Sequence, residues 1–288
     1  MKKLNKLIAG TTLALTCQAA SALVIDSTSS DGSVLAGAIL GSGITISNVN
    51  YYGGSNQSGL FSDGTSTIGI NNGLIMTSGS ALEAPGPNNS DGTTGNIGTG
   101  GGLGDSDLNA LIPQSTYHAA VLEFDFISDT DSLFFNYVFA SEEYNEYVNS
   151  SYNDVFAFFV DGVNIALAPD GQPVSINNVN CGGSGTGTGP NCSVYNNNDP
   201  SNGGPFYNIE YDGFTDKLLA SISGLVSGTT YSMKIAIADA GDTILDSAIF
   251  IEGGSFSSED PTSVPEPGTL ALLGLGLVGL GAARRRRA

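Results

Sequence analysis

From residue 120 to residue 127 the chain reads AVLEFDFI, with Leu122, Phe124 and Phe126 on one face and Glu123 and Asp125 on the other. A period of two is the mark of a strand with one buried face. Two nearby runs, LFFNYVFA (residues 133–140) and VFAFFV (Val155–Val160), are almost wholly apolar, as strands at the centre of a sandwich are. GITISNVNYY, GLIMTSG, VSINNV, FYNIEYDG, KLLASISGL, YSMKIAIAD and SAIFIEGGSF read as further short strands between Gly, Asn, Asp and Pro clusters. This pattern predicts an all-β domain, an antiparallel sandwich of jelly-roll type. It leaves room for one or two short helices. These are residues 34–40, and residues 108–112 behind the Asp105-Ser106-Asp107 capping cluster and ahead of Pro113.

The ends break the pattern. Residues 1–22 place Lys2, Lys3 and Lys6 before an apolar stretch and finish on Ala20-Ser21-Ala22, a secretory signal peptide cleaved after Ala22. At the other end, VPEPGTLALLGLGLVGLGAARRRRA joins Pro265, Glu266 and Pro267 to an apolar run over residues 269–283 and four arginines. That run predicts a hydrophobic helix of about 22 Å, short for a bilayer core of roughly 30 Å unless the arginines snorkel. The arginines fix its end in the cytoplasm and leave residues 23–263 outside. This tripartite end resembles the PEP-CTERM sorting signal of Gram-negative bacteria. The resemblance implies passage through the general secretion machinery and recognition by an exosortase, a membrane transpeptidase that cuts near the motif. Pro265, Glu266 and Pro267 would then be recognition residues for another enzyme. The protein would be held in the inner membrane only transiently, and end at the cell surface or outside the cell.

Removing both ends alters the electrostatics. Only Lys217 and Lys234 remain, against 28 acidic residues that lie between Asp26 and Glu266 of the sorting signal. Such a surface repels nucleic acid and anionic membranes and attracts cations. Cys17 leaves with the signal peptide, so Cys181 and Cys192 most simply form one disulfide in an exported chain. A metal role for them is the lesser reading, because His118, the single histidine, has no obvious companion.

The chemistry-bearing stretch is SEEYNEYVNSSYND at residues 141–154, wedged between two apolar strands. Calcium takes six to eight oxygens from carboxylates, amides and carbonyls. Asp239, Asp242 and Asp246 lie at the ends of two later strands. If the sandwich gathers these ends at one edge, Glu142 or Glu143 can share a Ca²⁺ ion with Asp154 and Asp246, the two consecutive glutamates pointing to opposite faces of a strand. The spacing is not that of an EF-hand, and solvated loop ends that guard strand edges are the competing reading. Glu143 with Asp154 could also serve as a glycosidase pair, although the chain has no Trp to line a sugar cleft. A Ser-His-Asp hydrolase would have to use His118 and finds no Gly-x-Ser-x-Gly. Residues 85–104 are glycine-rich but lack Gly-Lys-Ser/Thr, and read as a long surface loop. Tyr51, Tyr52, Tyr144, Tyr147, Tyr152, Tyr207 and Tyr211 could stack on a glycan, or simply pack.

GLIMTSGSALEAPGPN, GDSDLNALI, TYHAAVLEFDF, FNYVFASEEYNEYV, YNDVFAFFVDGVNIAL, VSINNVN and DSAIFIEGGSF together resemble the choice-of-anchor L domain, over about residues 33–256. That resemblance implies an extracellular β-rich domain and carries no catalytic residues. The chain therefore divides into a signal peptide (1–22), a sandwich domain (23–256), an acidic linker (257–263) and a sorting signal (264–288). The leading expectation is a non-enzymatic surface or extracellular-matrix protein associated with exopolysaccharide or biofilm matrix. A calcium-dependent glycan-binding or adhesion module is the alternative, and a carbohydrate-active enzyme the third.

Overall fold

A computed structural model describes residues 22–261; the signal peptide, Pro265, Glu266, Pro267 and the C-terminal helix read from the sequence lie outside the described residues. In chain order the first strands are β1 (Val24–Thr28), β2 (Ile44–Tyr52), β3 (Ser58–Ser62), β4 (Gly73–Thr77) and β5 (Thr116–Ser128). The centre holds β6 (Ser132–Ser141), β7 (Val155–Val160), β8 (Val163–Asn164), β9 (Val174–Ser175) and β10 (Tyr195–Asn197). The last are β11 (Gly213–Thr215), β12 (Leu218–Ser223), β13 (Thr230–Ala240) and β14 (Ser247–Glu252). They form two sheets. One runs β1-β3-β4-β14-β6-β11-β10, with β12 also on β6; the other runs β2-β5-β13-β7-β8, with β9 also on β7. The strand pairs are antiparallel, as the alternation in AVLEFDFI requires of a half-covered face.

The space between the sheets is filled by the residues the pattern put inward. Leu122, Phe124 and Phe126 of β5 meet Leu133, Phe135, Tyr137 and Phe139 of β6, with Phe156 and Phe158 of β7 beside them. Phe135 and Phe158 lie edge to face with ring centroids 4.1 Å apart, a geometry that adds to simple burial. The central strands are apolar on both faces because both outer faces are also covered. Leu23, Ile68, Ile209 and Tyr211 pack on Ile75, Val138 and Phe250 outside the first sheet. Leu108 and Ile112 pack on Val121, Ala157 and Phe159 outside the second.

The helix expected at 34–40 is α1 (Gly32–Ile39), started by Asp31, whose carboxylate accepts from Ser33 N at 2.9 Å. The one expected at 108–112 shrinks to a 3₁₀ turn, Leu108–Ala110, where Asp105 Oδ1 accepts from Asp107 N and Leu108 N at 3.0 Å. FYNIEYDG is not a strand. Asn198 takes its backbone instead, accepting from Phe206 N and Tyr207 N and donating to Ile209 O and Tyr211 O. Ser257 and Ser258, counted with the linker, are bonded into the fold through Phe134 and Ser42.

Cys181 and Cys192 are joined. Alkylation of the unreduced exported protein should find no free thiol, and reduction should cost about 3 kcal/mol of stability in a denaturant titration. Phe135→Ala should cost about 3–5 kcal/mol in the same titration, since Phe135 is buried against Phe158 and Phe256.

Candidate functional site

Four core strands stop at one end of the sandwich. β6 ends at Ser141 opposite Ser247, where β14 begins, and Val155 at the start of β7 faces Ala238 near the end of β13. The acidic residues that flank these strands are thereby brought to one end, although the ligand atoms of Glu142, Glu143, Asp154 and Asp246 do not gather as a trio within 4.8 Å. Asp154 ties the two sheets at this point. Its Oδ1 accepts from Ala240 N at 2.9 Å and its Oδ2 from Ser247 Oγ at 2.6 Å.

Solvated loop ends would be exposed; Glu142, Glu143, Asp154 and Asp246 are instead 2%, 0%, 0% and 4% exposed. The reason is the glycine-rich 85–104 segment, which bends over them rather than standing off in solvent. Gly95 N donates to Asp246 Oδ2, Thr93 Oγ1 to Glu210 Oε1, and Leu245 N to Thr94 Oγ1. Close approach matters on the other side as well. A Cβ at Gly79 would lie 1.6 Å from Asp246 Oδ2.

The four residues do not all face one point. Glu142 lies among Asp212, Glu210 and Asp246, whereas Glu143 lies among Asp154, Asp242 and Asp239. Consecutive residues leaving a strand turn to opposite sides, and Asp154 and Asp246 link the two groups. Glu143 has both carboxylate oxygens buried without a hydrogen-bond partner, and Glu142 Oε2, Asp239 Oδ1 and Asp246 Oδ1 are in the same state.

Positive charge is scarce here. Lys234 is held by Asp105 and Asp107 at 2.6 and 2.7 Å, and Lys217 by Glu252 at 3.4 Å. Among the described residues, His118 is the basic group that reaches the cluster, with Nδ1 3.0 Å from Asp239 Oδ2. Asp239 is therefore the companion that the sequence did not reveal. Burial, reinforced by the neighbouring carboxylates, lifts Glu143 to about 10 and holds Glu142, Asp154 and Asp239 well above the usual carboxylate range. Burial also lifts Asp246 to about 7, with Gly95 N and His118 opposing it.

A second group went unread in the sequence. Asp91, Asp199 and Asp212 each offer a ligand atom within 4.8 Å of the others, the one such trio among the described residues. Burial lifts Asp212 to about 8. The tyrosines mostly pack. Tyr144 and Tyr211 are buried, Tyr147 and Tyr152 lie edge to face, and Tyr52 is exposed.

Hard oxygen ligands with too little balancing charge make a setting for a divalent cation or for protons. A raised folded-state pKa gives stability that is full below the ordinary carboxylate range and lost as pH rises through the folded value. In chelator, unfolding stability should thus fall as pH rises through about 7 to 10, the values of Asp246, Asp212 and Glu143. Glu143→Gln should raise stability in chelator at pH 8 by about 1 kcal/mol or more, since the amide is neutral without the proton that Glu143, with its value near 10, must take up on folding. A flat or rising pH profile would contradict this electrostatic picture.

The choice-of-anchor L domain model matches residues 24–257. The PEP-CTERM protein-sorting motif matches residues 263–287. No curated protein and no solved structure matches the chain. The first match spans most of the sequence and the second follows it directly, so the chain belongs to the choice-of-anchor L family and carries a PEP-CTERM sorting motif.

Proposed function

We propose that this protein is a non-enzymatic component of the bacterial cell surface or extracellular polysaccharide matrix, released from the inner membrane by an exosortase and stabilised by Ca²⁺ at the acidic end of its sandwich. The observation that carries this reading is the sorting motif placed directly after an anchor-family domain. This inner ion would be shared by Glu142 or Glu143 with Asp154 and Asp246, whose oxygens would have to draw closer around it, since they form no trio within 4.8 Å. The excess of acidic residues over Lys217 and Lys234 suits a cation-rich exterior and disfavours nucleic acid.

A glycan-binding or adhesion role is the second reading, favoured by one groove. A space of about 520 Å³ is lined by Tyr51, Tyr52, Leu103, Asp105 and Glu123, and Tyr52 is 57% exposed. An aromatic face beside carboxylates is a fitting surface for a sugar. Glycoside hydrolysis has less support. Glu143 and Asp154 are fully buried, and Asp154 already bonds to both Ala240 and Ser247.

Mass spectrometry of the exported form should find the first 22 residues and most of the sequence after Pro267 gone. Glu266→Ala should leave precursor in the membrane. Intact Arg284–Arg287 in the exported protein would make the tail a permanent anchor. A glycan array read with and without Ca²⁺ separates the two binding readings: Ca²⁺-dependent capture that Tyr52→Ala abolishes would favour adhesion.

A further inference from the structure

We propose that Asp91, Asp199 and Asp212 form a second site, for one calcium-like divalent cation, which fastens the glycine-rich 85–95 segment to the 198–212 segment. It shares no ligand with the inner ion proposed above, so either can fail alone.

Asp91 comes from a segment more than a hundred residues before the one that carries Asp199 and Asp212, and each is positioned by its surroundings. Asp199 opens a 3₁₀ turn, Pro200–Asn202, and its Oδ1 accepts from Ser201 N at 2.6 Å and Asn202 N at 3.2 Å. Its Oδ2 accepts from Asn145 Nδ2 at 3.1 Å. Asp212 Oδ1 accepts from Asn88 Nδ2 at 2.7 Å. Asp91 accepts from both Ser201 N and Ser201 Oγ, which brings its loop across to that turn. The carboxylates therefore meet although like charges repel, and neither lysine of the domain is paired with them.

A buried atom points to a missing ligand. Asp212 is 0% exposed, yet its Oδ2 has no partner. Glu142, which is 2% exposed, adds to the strain, since the Asp212 charge acts on it more than that of any other carboxylate. An unpaired buried carboxylate oxygen is costly, and a cation held by Asp212 removes that cost.

The donor set selects the ion. It is all oxygen, with neither histidine nor cysteine, which excludes the softer metals and suits Ca²⁺ or Mg²⁺. Ligands on two separate, irregular segments favour Ca²⁺, which tolerates irregular geometry, over Mg²⁺, which demands a near-ideal octahedron. Asp91 is exposed while Asp199 and Asp212 are buried, so the ion enters from the solvent side past Asp91.

Terbium(III) is the probe for the test, because its emission is sensitised by nearby tyrosine and this chain has no Trp to complicate excitation. Tyr195 Oη donates to Asn145 Oδ1 at 2.5 Å, and Asn145 in turn bonds to Asp199, which sets a phenol beside the site. The exported protein should give saturable Tb³⁺ emission that Ca²⁺ competes away. Asp91→Asn removes an exposed charge, so the fold should persist by circular dichroism while affinity falls by roughly tenfold or more. Asp212→Asn should lose the signal, and Asp63→Asn, an exposed acid outside the site, should titrate like the parent. Parent-like titration of Asp91→Asn, no saturable emission from the parent, or equal loss in Asp63→Asn would each overturn the site.

Discussion

Charge that the chain does not balance dominates one end of this sandwich, where Glu142, Glu143, Asp154, Asp212, Asp239 and Asp246 are withdrawn from water together. Two carboxylates 4–5 Å apart repel by about 3–4 kcal/mol at an effective dielectric of 20, and each also carries a desolvation cost of several kcal/mol. The lysines are committed to Glu252, Asp105 and Asp107, so His118 alone offers relief from within the domain. The aromatic core between the sheets can hold such an end in place, but it cannot make the charges comfortable. Protons or divalent cations can do that: the raised values of Glu143 and Asp212 keep protons there near neutral pH, and the proposed Ca²⁺ would take their place.

This constraint explains why the loops are where they are. Asp154 joins the end of one sheet to the start of a strand in the other, and the 85–104 segment reaches Asp246 through Gly95, Glu210 through Thr93 and Leu245 through Thr94. Gly79 leaves space for the Asp246 carboxylate that a Cβ would occupy. The glycine-rich stretch thus covers the acidic end, with its own Asn88 buried against Asp212 and its Asp91 exposed. A protein carried to the outside by a sorting signal can rely on its new surroundings for the ions that complete it.

Sequence patterning revealed the parts governed by periodicity. AVLEFDFI, LFFNYVFA and VFAFFV became β5, β6 and β7, because alternation and continuous apolarity are direct consequences of one-sided and two-sided burial. Glu142, Glu143, Asp154 and Asp246 were legible because they sit just beyond apolar strands. Asp91, Asp199 and Asp212 were not. They lie in segments shaped by the side-chain bonds of Asn88, Asn145 and Asn198, which follow no period and leave no trace in composition. The same bonds turned FYNIEYDG from an expected strand into a run of bends. Asp239 met His118 only because β5 and β13 pair with an irregularity after Ile237, which a linear reading does not contain.

The central claim is that divalent cations complete the acidic end, and thermal unfolding of the exported protein tests it most directly. An ion bound only to the folded state stabilises it by about 2.7 kcal/mol at a hundredfold excess over Kd. The melting temperature should therefore rise stepwise with millimolar Ca²⁺, fall in chelator, and lose most of this response in Asp246→Asn. An unchanged melting temperature between saturating Ca²⁺ and chelator would contradict the claim and leave protons as what neutralises the buried carboxylates.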